Sequence, residues 1–326
     1  MTDYLSIIKL PIEVELNEFT EKYNASLEYK EGVLKQALDY VKQRKGKGMR
    51  PMLLLLIAKL YGNITETTFR AGIGLEMLHT ATLIHDDIVD ESSTRRGQAS
   101  VNAIYDNKIA VLVGDYILST ALINVSDSKD IEIIKQLSIL GQTLSDGEIL
   151  QLTSNVSENI SEQAYYEVIR KKTAALFEAA SAMGAMSVNA SINSIEKARS
   201  FGQKIGMIFQ IRDDIFDYYD SGEIGKPTGN DMLEGKLTLP AIYAILSSDN
   251  ADMKQIAMDV KSCKASPEEI ARLIAFSKEQ GGIKYAEDKM MEIRVEAMEF
   301  INKEVHDSSL KNAFTAYLDY AIERNK

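Results

Sequence analysis

The segment Leu83-Ile84-His85-Asp86-Asp87-Ile88-Val89-Asp90 recurs in outline as Phe209-Gln210-Ile211-Arg212-Asp213-Asp214-Ile215-Phe216-Asp217, giving two apolar-led Asp-Asp-x-x-Asp clusters. On a helix the first and last Asp of each cluster are i and i+4 and share a face. Two such helices set opposite each other would aim their carboxylates into one space, and like charges that close stay ionised only when cations hold them. Carboxylate oxygens suit hard divalent ions, and Mg²⁺ binds through a few carboxylates together with phosphate oxygens. The array therefore implies a metal ion and a phosphate-bearing ligand. One cluster alone would read as a solvated helix end in a chain with 48 Asp and Glu. A second copy, again behind residues that should point into a core, argues that the charge is partnered.

An anionic ligand needs cations. Lys45-Gly46-Lys47-Gly48-Met49-Arg50-Pro51 sets basic residues between glycines that permit close backbone approach, and Arg95-Arg96-Gly97 follows directly on Asp90. Arginine offers a planar fork that grips phosphate oxygens in bidentate fashion. Each run also has a plain reading: Lys45 to Arg50 as a solvated turn, Arg95-Arg96 as partners of Asp90 or Glu91. Lys171-Lys172-Thr173 interrupts an otherwise apolar helical stretch, and Lys226 and Lys236 lie in a glycine-rich segment after the second acidic cluster.

The elements that must position these groups read as helices. The chain has 326 residues, 45% of them hydrophobic, and five prolines. No alternation of apolar and polar residues marks a sheet. Helical periodicity is expected over Leu34 to Leu60 with a break near Gly46 to Pro51, and over Phe69 to Asp90, Ala110 to Val125 and Ile131 to Leu152. It continues over Glu162 to Val188, Ile195 to Tyr219, Leu239 to Leu246, Pro267 to Glu279 and Gly282 to Tyr320. Ser266-Pro267-Glu268-Glu269 is a helix start and Gly281-Gly282 a stop. No linker composition appears, so a single all-α domain over residues 1–326 is expected.

A net charge of −11 excludes a general nucleic-acid footprint. The lone Cys263 excludes an internal disulfide and fits a reducing cytoplasm. The N-terminus lacks a basic region followed by an apolar one, so no signal peptide is expected. No uninterrupted apolar run reaches the ~20 residues of a membrane span.

In order along the chain, Gly46-Lys47-x-x-Arg50-Pro51, His79, Asp86-Asp87-x-x-Asp90, Arg95-Arg96-Gly97, Gly114-Asp115, Gly147-Glu148-x-x-Gln151, Lys172-Thr173, Gln210-x-x-Asp213-Asp214-x-x-Asp217, Gly225-Lys226 and Gly235-Lys236 resemble the trans-type polyprenyl diphosphate synthases. The resemblance implies a bundle of long antiparallel helices around a deep central cavity, in a homodimer. It implies an allylic diphosphate bound through Mg²⁺, about three ions per site. Asp86, Asp90 and Asp213 would hold the metal, with Asp87, Asp214 and Asp217 completing the set. Arg95, Lys172, Lys226 and Lys236 would neutralise the diphosphate, and Lys47, Arg50, His79 and Arg96 would bind isopentenyl diphosphate. Oxygen dipoles near Lys172, Thr173 and Gln210 would steady the allylic cation. Many members have Arg where this chain has Gly48.

In that family, chain length is set below the first acidic cluster. Thr82 is one turn deeper than Asp86, Ala81 lies beside it, and Leu78 is a further turn down. Short-chain members place Phe or Tyr here as a floor. The small Ala81 and Thr82 leave the way open toward Tyr116 to Leu122, so a product of about eight isoprene units is expected, at roughly one unit per helical turn. Its use would be in quinone side chains. The alternatives are a short-chain farnesyl or geranylgeranyl diphosphate synthase, a class I terpene cyclase with a single diphosphate site, and a non-catalytic synthase subunit. The last generally lacks an Asp from one cluster, and all six are present here.

Overall fold

The computed structural model describes residues 3–43, 46–95, 97–157, 159–219 and 228–324. Lys45, Arg96 and Lys226 lie outside them. The described chain is helical apart from a two-residue hairpin, Thr94–Arg95 with Gln98–Ala99. The helices are α1 (Tyr4–Lys9), α2 (Glu13–Ser26), α3 (Gly32–Gln43), α4 (Met49–Tyr61), α5 (Glu66–Val89), α6 (Val101–Asp127), α7 (Ile131–Val156), α8 (Glu162–Ile169), α9 (Ala175–Met186) and α10 (Ile192–Phe216). They continue with α11 (Asn230–Leu233), α12 (Leu239–Leu246), α13 (Ala251–Lys261), α14 (Pro267–Glu279), α15 (Gly282–Glu304) and α16 (Ser308–Glu323). The chain divides into two compact units. One comprises Met1–Gly141, Leu176–Gly202 and Val305–Phe314; the other comprises Gln142–Ala175, Gln203–Glu304 and Thr315–Lys326.

In the first unit α4 is apolar all round, and Leu53 to Ala58 are fully buried, as expected of a core helix rather than an amphipathic one. Gly48 opens it in the left-handed region, with φ +68°. An arginine there would carry backbone strain that glycine avoids. α5 packs along α6, and the approach is close because Gly74 has no side chain: a Cβ there would lie 2.5 Å from a Val125 methyl. α6 is broken at Asp106, which has φ 69° and whose carboxylate recaps the helix by accepting from Lys108 N–H at 2.8 Å and Ile109 N–H at 3.1 Å. In length and composition α6 is long and apolar enough to cross a membrane. Asp106 and Asp115 interrupt it, and 39% of its most apolar stretch is buried.

In the second unit Tyr218, Met232, Ile245, Ile256, Val260, Ile270 and Leu273 form one apolar cluster drawn from α11 to α14 and the end of α10. The Ser266 start is as expected: Ser266 N–H donates to Glu269 Oε2 at 2.8 Å, and Glu269 N–H returns a bond to Ser266 Oγ at 3.3 Å.

Two expected helices are interrupted. The Gly282 to Tyr320 stretch breaks between Glu304 and Ser308, where Asp307 caps α16 through Leu310 N–H at 2.8 Å; side-chain capping by Asp competes with helix continuation there. The Glu162 to Val188 stretch contains a π turn over Arg170–Ala174. The segments α1, α2, α11 and α13 have no counterpart among the expected helices.

Gly184 brings α9 against α4, where an added Cβ would stand 2.5 Å from the Leu54 carbonyl oxygen. Backbone cannot move aside as a side-chain tip can, so Gly184→Ala is expected to cost roughly 1–3 kcal/mol. Urea unfolding measures this, and a variant as stable as the parent would refute the close approach.

Candidate active site

Both acidic clusters close the C-terminal turn of an apolar helix, α5 and α10. A helix C-terminus carries partial negative charge, so carboxylates there are held against the field of their own helix. Each cluster relieves this by dividing its members. In the first, Asp87 is 1% exposed and accepts from Arg95 Nε at 2.6 Å. Its backbone carbonyl also holds Ser92 N–H at 2.9 Å and Asn102 Nδ2 at 3.3 Å. Asp87 is thus the anchor that ties the hairpin and α6 to the end of α5. Asp86 is half-buried and Asp90 exposed, one turn apart on the same face.

In the second cluster Asp214 is the anchor. It is buried, accepts from the Tyr165 hydroxyl at 2.6 Å and from Gln210 Nε2 at 2.7 Å, and is pushed well above the usual carboxylate range, chiefly by burial and next by the Asp231 charge. Asp217 accepts from Asn230 N–H at 2.9 Å and Asp231 N–H at 3.0 Å, capping the short α11. Asp213 reaches solvent, its side chain 43% exposed, and pairs with Arg324 at 2.7 Å.

Lys172 and Thr173 lie in the π turn of Arg170–Ala174, a local distortion that recurs at functional sites. Gly147 on α7 lets this turn come close: a Cβ there would be 2.9 Å from Lys171 Cβ and 3.1 Å from Lys172 N. Lys172 Nζ is held by Glu148 at 2.6 Å and Gln151 at 3.1 Å. Thr173 Oγ1 donates to Gln210 Oε1 at 2.6 Å. Thr173, Gln210, Asp214 and Tyr165 therefore form one unbroken hydrogen-bonded chain linking α8, the π turn and α10. Lys172, Thr173, Gln210, Asp214 and Lys236 all line a cavity of about 200 Å³ within the second unit. The residues expected to meet a diphosphate are brought together there in part: two cations and two hydrogen-bonding side chains converge from well-separated stretches of sequence.

The remaining expected residues belong to the first unit. Lys47 is exposed, and the Arg50 guanidinium stands 5.0 Å from the centroid of the Phe177 ring. His79 is buried, with its carbonyl accepting from Thr82 Oγ1 at 2.9 Å. Leu78 and Ala81 are buried, and Leu78 faces Gly141, where an added Cβ would be 3.8 Å away.

Among the described residues no group of three or more His, Cys, Asp or Glu is arranged to hold a metal ion. Mg²⁺ ordinarily keeps several waters and binds through one or two carboxylates plus substrate phosphates. Outward carboxylates offered singly or in pairs fit an ion that arrives with a phosphate-bearing substrate better than a permanently caged one.

Three contributors escaped the sequence motifs. Tyr165 and Arg324 hold Asp214 and Asp213, and Asp231 lies beside Asp217. Glu148, from the Gly147-Glu148-x-x-Gln151 motif, holds Lys172. Asp231 had a signal, since it falls between Gly229 and Lys236. Tyr165 and Arg324 had none. Desolvation, then the Asp217 charge, pushes Asp231 up to about 7. Its folded-state value is therefore above its unfolded one, so the stability it contributes is full below about pH 4 and is lost as pH rises through about 7. Asp231→Asn is expected to gain roughly 1–3 kcal/mol on the parent between pH 5 and pH 8 in chelator-treated protein. Urea unfolding at the two pH values measures it; a gap independent of pH would refute the shift.

The polyprenyl synthetase family model matches residues 31–276. The chain is 32% identical to the all-trans-nonaprenyl-diphosphate synthase (geranyl-diphosphate specific) of Rhodobacter capsulatus, over 97% of this chain and 98% of that protein. A crystal structure of geranylgeranyl pyrophosphate synthase from Bacteroides thetaiotaomicron is 44% identical, with a TM-score of 0.88 over 99% of this chain and 100% of that one. A polyprenyl synthase from Caulobacter crescentus, complexed with calcium and isoprenyl diphosphate, is 26% identical with a TM-score of 0.90, covering 99% and 98%. The all-α fold is that of the isoprenoid synthases, and the chain belongs to the polyprenyl synthetase family of trans-prenyltransferases.

Proposed function

We propose that this chain condenses an allylic diphosphate with successive isopentenyl diphosphates into a long all-trans polyprenyl diphosphate, releasing diphosphate at each step. It acts as one polyprenyl synthase domain in a cytoplasmic homodimer, and its product serves quinone side chains. The observation that carries this reading is the cavity wall where Lys172, Lys236, Thr173 and Gln210 meet beside the second acidic cluster.

Asp86, Asp90 and Asp213, the outward members of the clusters, would hold Mg²⁺ together with Asp217, while the buried Asp87 and Asp214 anchor the clusters. Bound Mg²⁺ supplies Lewis-acid stabilisation of the diphosphate leaving group. In this reading Lys172 and Lys236 would neutralise the negative charge that grows on diphosphate as the carbon–oxygen bond ionises, and Lys226 and Arg95 would serve the same end. Lys172 is preorganised by Glu148 and Gln151, so little side-chain entropy is lost on binding. Thr173 gives its proton to Gln210, which leaves its oxygen lone pairs to face an allylic cation. A neutral oxygen steadies that cation without forming the covalent ester a carboxylate would form. Lys47, Arg50, His79 and Arg96 take isopentenyl diphosphate, whose double bond attacks the cation, and the departing diphosphate takes the final proton.

The long product rests on the buried, small Ala81 and on Thr82, whose hydroxyl is turned back to its own helix. The nonaprenyl-forming relative supports it. A shorter product is the second reading, favoured by the 44% identity to a geranylgeranyl pyrophosphate synthase. The dimer rests on α6, which exposes Val111, Leu112, Leu122 and Ile123, an apolar stripe suited to a second copy.

Incubation of the purified chain with farnesyl diphosphate, isopentenyl diphosphate and Mg²⁺ is expected to release diphosphate, and mass analysis to show products of about eight units. Release of none would end the proposal, and a product stopping at geranylgeranyl length would select the shorter reading. Ala81→Phe is expected to shorten the product by several units, since the ring fills about one helical turn. An unchanged length would refute the open floor. Lys172→Ala is expected to lower kcat by about 10²–10³. A change confined to KM would move Lys172 from the reacting centre to simple binding.

A further inference from the structure

Arg324 follows the last turn of α16 and belongs to no motif. Its side chain is 6% exposed. The guanidinium lies 3.6 Å from the centroid of the Phe209 ring and 5.5 Å from that of Phe216. Its Nη2 donates to the Phe209 carbonyl at 2.8 Å and to Asp213 Oδ1 at 2.7 Å. Its own carbonyl accepts a long bond from Arg212 Nε at 3.5 Å. The guanidinium therefore spans one turn of α10, the turn that opens the second acidic cluster. Burying an arginine is costly without an anionic partner, and the partner used here is the outward carboxylate of that cluster.

We propose that Arg324 is a resident counter-ion that sets the order of loading at the second acidic cluster. It balances Asp213 before substrate arrives, so that a divalent cation is taken up together with a diphosphate and only weakly by itself. A cation approaching alone meets a fixed positive charge a few ångströms from its ligand. The same ion carried on a diphosphate arrives as an anionic complex, and the same guanidinium attracts it. The stacking on Phe209 matters because it fixes the guanidinium against the helix, leaving it unable to swing away when the cation comes. Arg324 is thus a positioning residue, acting through Asp213. The inference rests on the reading that Asp213 holds metal.

The test measures Mn²⁺ retained by the full chain on ultrafiltration, with and without inorganic diphosphate. An Asp86→Asn background keeps the first cluster from contributing. Arg324→Gln is expected to bind Mn²⁺ alone roughly tenfold more tightly, the effect of one nearby charge at a protein surface. The enhancement by diphosphate should fall by a similar factor. Arg324→Lys keeps the charge and should stay near the parent, whereas a purely structural role would make Lys and Gln behave alike. Should Arg324→Gln fail to fold, a chain ending at Glu323 removes the guanidinium and takes its place. Unchanged or weaker binding of Mn²⁺ alone in a folded variant overturns the proposal. If the parent background retains no Mn²⁺ even with diphosphate, the assignment of Asp213 to the metal falls with it; retention with diphosphate and no response to Arg324 removes the counter-ion role alone.

Discussion

The constraint on which the rest of this structure depends is negative charge placed where a helix already ends in negative charge. α5 and α10 each finish in three aspartates, in a chain whose net charge is −11. Aspartates would be better placed at helix N-termini, where the macrodipole favours them. The chain answers in the same way twice. One aspartate of each cluster is withdrawn from solvent and built into a hydrogen-bonded anchor, and one arginine is brought to each cluster from elsewhere in the sequence: Arg95 to Asp87 and Arg324 to Asp213. The outward carboxylates Asp86 and Asp90 remain half-buried and exposed, and Asp213 meets solvent beside its arginine.

The second acidic cluster is also where local irregularity gathers. A continuous α-helix from Glu162 to Met186 would place Lys172 and Thr173 by ordinary helical spacing. The π turn over Arg170–Ala174 shifts that register, and Gly147 gives it room against α7. The outcome is a lysine braced by two side chains and a threonine whose proton is already committed to Gln210. Such groups need little rearrangement when charge develops near them, which is the electrostatic advantage of a preorganised site over water.

Much of this was legible in the sequence because it rests on periodicity and on residue chemistry. The long apolar repeats of α5, α7 and α10 locate those helices, and Ser266 and Gly281 mark the boundaries of α14 through capping and left-handed backbone. Acidic clusters and lysines announce themselves by type. What stayed hidden depends on three-dimensional register. Asp87 and Asp214 look identical in sequence to their neighbours, and only the positions of Arg95, Tyr165 and Gln210 show that they are anchors. The π turn has no compositional mark, since Arg, Lys, Thr and Ala all suit an α-helix well enough. The break before α16 follows from Asp307 capping a new helix, a local competition that the surrounding apolar repeat conceals. α1 and α2 carry only a weak helical pattern, with Phe19 the buried residue of α2.

Asp217 gives the second cluster a mechanical connection that its chemistry alone would not suggest. Both of its oxygens are occupied by the first amides of α11, and α11 leads within a few residues to Lys236. An ion or water at this carboxylate would share it with those two amides. The same carboxylate thereby pins the start of the segment that carries Lys236.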